Sequence, residues 1–414
     1  MSKYEIYNLR ENPFPQAGTL NPFSKDPREN GEIFQLSLMA DEVKQFEKAI
    51  NDRLNLIYIM GLVHERGTGK SALLVHQLRK LEYQQNTMEK IWPIYIRCTM
   101  KEKPEHFCNR IIEVWHQTGK LWSMFEQLLL KYAQSTDSRS ITEATVKVLF
   151  RHNKRPPQKL NLMQYFHISK PEPLARAIAQ FVDKTQGANT EIVSAFIEMY
   201  LSEPNSLPDK LKAKRFRNAD EIDIFGEFLR LMQFDFNRYH FVFLDQLEDV
   251  IANLTERTVT SFCLSMRRLL EVSKDKATYI VTLHPDSEIR LEGQAAKHLT
   301  TLAPLNRPHR IDLRLPKWEG DASVQLAQVY LDYYRIKKGD DSTFPFTPNA
   351  IKFVTFCCNR CIREILQRLY FTLDFAVNQQ VSKIDYEFMK THPEETVGIN
   401  IREKRLKEFE REIS

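Results

Sequence analysis

Apolar and polar positions along the chain form blocks that predict strands alternating with helices. Five apolar runs are typical of buried parallel strands and lie at 54–63, 92–97, 241–244, 278–283 and 310–315. Helical periodicity is predicted between them at 39–50, 71–81, 105–133 (as one long helix), 219–233 and 257–273. Apolar strands that alternate with helices indicate an α/β fold with a parallel sheet.

The pattern changes after the last strand, where only helical segments follow. These are predicted at 321–336, 348–357 and 360–378, and Thr347 with Pro348 forms a favourable helix start. We therefore predict a lead-in, an α/β core carrying a basic helical insertion, an all-helical domain and a charged C-terminal helix. Their expected bounds are 1–50, 51–315 with the insertion at about 101–235, 316–395 and 396–414.

Basic side chains are concentrated inside the insertion. Six Lys or Arg residues and no acid lie between Glu143 and Glu172, and residues 210–217 hold five basic residues in eight. Such clusters either bind a phosphate backbone or form the solvated face of a loop, and both interpretations stay open. The net charge of +5 is compatible with nucleic acid without requiring it.

Composition indicates a globular protein rather than a membrane or disulfide-rich one. Of the 414 residues, 42% are apolar and 27% are charged, and no apolar run approaches the roughly 18 residues needed to span a bilayer. The N-terminus is polar, and the six cysteines favour a reducing, cytoplasmic location. Cys357, Cys358 and Cys361 lack a second Cys/His pair for zinc, so we expect them to be buried apolar residues.

A glycine-bearing turn between the first strand and the following helix predicts a phosphate-binding loop. Only 12 glycines occur in the chain, yet Gly61, Gly67 and Gly69 fall within nine residues. In such a loop backbone N–H groups surround phosphate oxygens, while Lys70 reaches the β- and γ-phosphates and the Ser71 hydroxyl ligates Mg²⁺. We expect ATP and Mg²⁺ as ligands, held by His64, Glu65, Arg66, Gly67, Thr68, Gly69, Lys70, Ser71 and Ala72. His64 stands where the full motif has glycine.

The strand at 241–244 ends in an acidic residue, Asp245, which is the expected second ligand of the metal. Gln246 follows directly, and a glutamine orients a water molecule without accepting its proton. Glu248 is the alternative water-activating residue, with a solvated acid at a helix start as the competing interpretation.

Together these segments resemble the AAA+ P-loop ATPases. The resemblance rests on RGTGKSALL after a strand, FVFLDQLEDV at an acidic strand end, TYIVTLHPD and the C-terminal helical segment. It is strongest for the branch of origin-recognition, initiator-loading and transposition ATPases, while the DQLE wording is similar to STAND signalling NTPases. It implies a P-loop NTPase parallel sheet with a helical insertion and an all-α C-terminal lid domain.

The resemblance also implies roles for residues outside the loop. Thr282 or His284 would sense the γ-phosphate at the end of its strand. Arg363 would be the lid arginine, although the family's Gly and Pro are absent from Cys358–Leu366. Arg307 and Arg310 are candidates for an arginine finger offered to a neighbouring subunit.

Two functions follow from the resemblance, with a third left open by His64. The first is an ATPase that couples nucleotide binding and hydrolysis to assembly or regulation of a DNA-associated complex, as a homo-oligomer or with a protein client. The alternative is a STAND-like signalling or defence switch with slow or no hydrolysis, for which Gln246 is suited. A degenerate loop that merely holds ATP is the third.

Overall fold

The computed structural model describes most of the chain and all the elements discussed below. The described residues are 2–17, 24–30, 32–33, 40–61, 69–88, 91–136, 141–151, 161–203, 220–236, 239–284, 286–287, 289, 291, 310–313, 322–337, 339, 342–358, 361–398, 401 and 403–413. The basic cluster predicted at 210–217 and part of the one at 147–170 lie outside these residues.

A five-stranded parallel sheet forms the centre of the α/β part. Its strands are β1 (Leu56–Met60), β2 (Ile91–Arg97), β3 (Tyr239–Asp245), β4 (Ala277–Leu283) and β5 (Arg310–Asp312). They lie in the order β2-β3-β4-β1-β5, and every neighbouring pair is parallel. The structure therefore confirms the predicted parallel sheet, with β1 and β4 inside it.

Side chains leave alternate faces of each strand and so build two separate apolar clusters. On one face Ile57 and Ile59 pack with α1 (Ala40–Asn51) and α2 (Lys70–Met88). On the other face Tyr58 and Met60 belong to a larger cluster formed with helices of the insertion. Both faces of the sheet are covered, which explains the continuous apolar runs that predict its strands.

Seven helices are described between β2 and β3, over residues 104–136, 141–151, 161–203 and 220–236. They are α3 (Pro104–Gln117), α4 (Lys120–Ser135), α5 (Glu143–Arg151), α6 (Leu162–Tyr165), α7 (Pro171–Gln186), α8 (Thr190–Ser202) and α9 (Glu221–Phe236). Two more follow β3 on the same face, α10 (Leu247–Ala252) and α11 (Glu256–Val272). The predicted helical insertion is confirmed, and aromatic residues such as Trp115 and Trp122 form its buried core.

The prediction of one helix over 105–133 is wrong. The chain turns at Thr118 and Gly119, and Gly119 has φ of 74° and ψ of 7°, a left-handed conformation that an α-helix does not continue through. The helices on the two sides of the break, α3 and α4, each contribute an apolar face to the same core. Apolar residues keep a helical spacing on both sides of the break, so the hydrophobic pattern alone does not indicate it.

Helices are the regular elements of the described residues beyond the sheet, as predicted. Its elements are α12 (Ala322–Tyr334), α13 (Pro348–Cys357), α14 (Ile362–Asn378), α15 (Tyr386–Thr391), α16 (Pro393–Val397) and α17 (Glu403–Ile413). The Thr347 side chain caps α13 by accepting a hydrogen bond from the Ala350 N–H, with Pro348 in the first turn. The predicted helix start is therefore confirmed.

The N-terminal segment packs on this helical part of the chain. Tyr4, Tyr7, Leu9 and Phe14 are buried in the apolar cluster of α12–α14. The Tyr4 hydroxyl donates to Asp374 at 2.6 Å, and the Asn12 side chain donates to the Tyr370 carbonyl at 3.0 Å. The domain bounds given above remain predictions, but this part of the lead-in belongs structurally with the C-terminal helices.

No helix among the described residues is both long and apolar enough to cross a membrane. The six cysteines are free thiols, five of them buried, and burial raises the pKa of the Cys357 and Cys358 thiols to about 12. Cys357 and Cys358 lie within the apolar cluster of the C-terminal helices, as predicted, whereas Cys361 is only partly buried.

Candidate nucleotide-binding site

The order of the strands brings the predicted site residues to one edge of the sheet. Lys70 and Ser71 open α2 after β1, Asp245 ends β3, and Thr282 lies near the end of β4, which runs between those two strands. Because all these strands are parallel, their carboxyl ends meet on the same side, where ligands of open α/β sheets bind.

Asp245 is the centre of a hydrogen-bond network that joins these elements. Its Oδ1 accepts hydrogen bonds from Ser71 Oγ and from Thr282 Oγ1, each at 3.1 Å. Asp245 is 3% exposed and Thr282 is fully buried. The two residues that the sequence assigns to the metal, Ser71 and Asp245, are thus in direct contact, although 174 positions separate them.

The other carboxylate oxygen of Asp245 has a partner that sequence analysis missed. Tyr95, on β2, donates its hydroxyl to Asp245 Oδ2 at 2.6 Å inside the protein. Burial, followed by the neighbouring Asp245 charge, raises the pKa of Tyr95 well above its ordinary value. The available sequence signal was a tyrosine two residues before the end of an otherwise apolar strand, which by itself is typical of core packing.

Glu248 lies in the first turn of α10 and faces the same network. Its Oε1 is 3.5 Å from Lys70 Nζ, and its Oε2 is 3.1 Å from Thr282 Oγ1. Burial raises the pKa of Glu248 above its ordinary value, while the Lys70 charge opposes that shift. Glu248 therefore lies beside Lys70 and Thr282, largely shielded from solvent, and not on a solvated helix face.

Gln246 contributes its backbone rather than its side chain to this network. It adopts a left-handed conformation with φ of 63°, and its N–H donates to Thr282 Oγ1 at 2.8 Å. Its side-chain oxygen accepts a hydrogen bond from Arg97 Nε at 2.8 Å. A left-handed non-glycine residue is uncommon and directs the chain from β3 into α10.

The remaining predicted residues are distributed as follows. Gly69 has φ of 89°, which suits glycine, and Ala72 is buried in α2. Arg363 is exposed in the first turn of α14, next to Ile362, which packs against the apolar cluster of α1, α2 and the sheet.

The sensor candidate His284 and the finger candidate Arg310 each lie near an acidic side chain. His284 Nδ1 is 3.4 Å from Asp286, and Arg310 Nε is 2.7 Å from Asp312. The loop residues His64, Glu65, Arg66, Gly67 and Thr68, with Arg307, lie outside the described residues.

The oxygen ligands at this edge of the sheet would suit a Mg²⁺ ion that is also bound by phosphates. Mg²⁺ prefers oxygen ligands and is usually bound by one or two protein groups together with substrate phosphates and water. The hydroxyl of Ser71 and the carboxylate of Asp245 supply such oxygens. Among the described residues no group of three or more His, Cys, Asp or Glu side chains is placed to hold a metal by itself.

Comparison with known proteins found no matching family model and no matching curated protein. Solved structures do match. The chain is 9% identical to the Aeropyrum pernix ORC2 protein in its ADPNP–ADP complexes, with a TM-score of 0.42 over 94% of this chain and 72% of that one. It is 11% identical to Cdc6p from Pyrobaculum aerophilum, with a TM-score of 0.43 over 90% and 70%.

A third match is the Aeropyrum pernix ORC1 protein in complex with DNA, at 10% identity and a TM-score of 0.40, covering 86% of this chain and 64% of that one. All three of these solved structures have low sequence identity to this chain. With TM-scores below 0.5, they carry no conclusion about activity, which is argued below from the site.

Proposed function

We propose that this chain binds ATP with Mg²⁺ at the carboxyl edge of its sheet and hydrolyses it. The observation that carries the proposal is the convergence of Lys70, Ser71, Asp245 and Thr282 from three adjacent elements. Phosphate oxygens would lie at the N-terminus of α2, where free backbone N–H groups and the helix dipole favour anions. The bound Mg²⁺ would neutralise charge on the β- and γ-phosphates.

Glu248 is the residue we assign to water activation. A general base works best when its pKa lies near the operating pH, and burial moves the pKa of Glu248 in that direction. Phosphates compete with Glu248 for the ammonium of Lys70, so nucleotide binding frees the carboxylate that Lys70 otherwise neutralises. Thr282, which contacts both Asp245 and Glu248, connects the metal side of the site to this base.

The C-terminal helices are the part of the chain proposed to respond to nucleotide. The first turn of α14 holds Ile362 against the core and Arg363 exposed beside it. A γ-phosphate that attracts Arg363 would bias the position of these helices, and such a bias is how nucleotide state changes subunit contacts. We propose that this movement assembles or regulates a DNA-associated complex, with basic side chains of the insertion facing the DNA backbone.

A second function, a nucleotide switch with slow hydrolysis, is favoured by one specific feature. The side chain of Gln246 bonds to Arg97 and not to the network around Asp245, so it does not position water from that conformation. If Glu248 also remained paired with Lys70, the site would hold ATP with little turnover. Slow turnover suits a switch whose nucleotide state sets its assembly.

Steady-state ATP turnover of the full chain, with and without double-stranded DNA, separates these functions. The Lys70→Ala variant supplies the background rate. Turnover that depends on Lys70 and rises with DNA supports the DNA-coupled ATPase. Binding of ATP without turnover above the Lys70→Ala background would reject hydrolysis and leave the switch.

A further inference from the structure

The two oxygens of the Asp245 carboxylate have different surroundings. Oδ1 faces Ser71 and Thr282, on the side where phosphate and metal are expected. Oδ2 faces away from them and accepts the hydroxyl of Tyr95 at 2.6 Å. We propose that Tyr95 is a positioning residue, whose hydrogen bond holds the carboxylate so that Oδ1 is presented to Mg²⁺. This inference rests on the proposed nucleotide site and names a determinant of its metal affinity.

The sheet keeps the Tyr95 hydroxyl in a fixed place. β2 and β3 pair in parallel with Tyr95 opposite Phe243 and Arg97 opposite Asp245. Phe243, Asp245 and Tyr95 therefore point to the same face of the sheet, because side chains alternate along a strand. The ring of Tyr95 packs in the apolar cluster of that face, which leaves the hydroxyl little freedom to follow a rotating carboxylate.

The hydrogen bond from the Tyr95 hydroxyl to Asp245 belongs to a strong class. A hydroxyl that donates to a carboxylate at 2.5–2.7 Å is a charge-assisted hydrogen bond, about twice as strong as a neutral one. The terminal torsion of an aspartate is broad and roughly two-fold. Without this donor, only the hydrogen bonds that Oδ1 accepts from Ser71, Thr282 and the Gln246 N–H would resist rotation of the Asp245 carboxylate.

Loss of this hydrogen bond should therefore weaken the binding of Mg²⁺ and leave the Mg²⁺-independent binding of the nucleotide unchanged. Hydrogen-bonding partners of metal-ligating carboxylates typically affect metal affinity by about 10- to 100-fold. Because phosphates share the Mg²⁺ here, we expect the lower end of that range. A purely structural role would instead lower the stability of the fold and leave the Mg²⁺ dependence unchanged.

The test is titration of a fluorescent ATP analogue into the full-length Tyr95→Phe protein, in EDTA and at increasing Mg²⁺. We expect the Mg²⁺ concentration for half-maximal enhancement of binding to rise about 10-fold, with affinity in EDTA within about twofold of wild type. Tyr239→Phe is the matched control, because Tyr239 is buried on the same face and its hydroxyl bonds to Arg53 and Thr278 at the opposite edge of the sheet. It should leave both quantities within about twofold.

A second comparison shows whether Tyr95 acts through Asp245. In an Asp245→Asn background, adding Tyr95→Phe should have no further effect on the Mg²⁺ midpoint, whereas two independent effects would add. An unchanged or lower Mg²⁺ midpoint in Tyr95→Phe overturns the inference, as does an equal shift in Tyr239→Phe. Wild-type protein that binds no nucleotide, or binds it without regard to Mg²⁺, would instead contradict the proposed function.

Discussion

Replacing Glu248 with glutamine separates the two effects proposed for it, which are competition with phosphate for Lys70 and activation of water. The carboxylate is 3.5 Å from Lys70 Nζ, with the side chains 19% and 11% exposed. At an effective dielectric constant of about 20, the Coulomb attraction at that distance is about 5 kcal/mol. Desolvation offsets most of it, so we take about 1 kcal/mol as the net competition with phosphate, or about fivefold in affinity. Glu248→Gln should therefore bind ATP as well as wild type or up to about fivefold more tightly.

Turnover should change far more than binding in the same variant. A general base contributes about 10²- to 10⁴-fold to rate, so kcat of Glu248→Gln should fall by at least about 100-fold. Asp249→Asn is the matched control, since Asp249 follows in the same turn and its side chain has no bond to Lys70 or Thr282. Calorimetric ATP binding and a phosphate-release assay measure the two effects. Weaker binding by tenfold, or turnover within tenfold of wild type, would refute the assignment.

Two further outcomes follow from the same structure. Burial raises the pKa of Glu248, and only the deprotonated carboxylate can act as the base. The kcat of the wild type should therefore fall with decreasing pH, through a midpoint above the ordinary glutamate pKa of 4.5. A pH–rate profile without that fall at low pH would contradict the role. Gly119→Ala should lower the free energy of unfolding by about 1 kcal/mol, because φ is 74° there, while Gly339→Ala, which has open space and no positive φ, should be near neutral in urea unfolding followed by tryptophan fluorescence.

The sheet and the helices with a clear apolar period were predictable because their signal is local, whereas α5, α6, α7 and α8 of the insertion were not predicted individually. Apolar runs mark β1, β3 and β4, whose faces are both covered, and a Thr-Pro start marks α13. The break at Gly119 was not predictable from periodicity, because both flanking helices bury apolar faces in one core.

The site was predictable only in part, for a similar reason. Ser71 and Asp245 carry motifs, and the structure brings them together. Tyr95 carries none, since its contact with Asp245 depends on how β2 pairs with β3, a long-range register that local sequence does not encode. The side chain of Gln246 could not be placed either, because its direction follows from a left-handed backbone and from Arg97 on the neighbouring strand.

The central claim is that Lys70 and its neighbours form a site for the phosphates of ATP. Equilibrium binding of ATP with Mg²⁺ to wild type, Lys70→Ala and Lys80→Ala tests it most directly. Lys80 lies on the same helix, where it is exposed and paired with Glu47, and so controls for the loss of a lysine. We predict that Lys70→Ala weakens binding by about 100-fold, the equivalent of about 2.7 kcal/mol, and that Lys80→Ala matches wild type. Wild-type protein without affinity for ATP, or equal binding by all three proteins, would contradict the account.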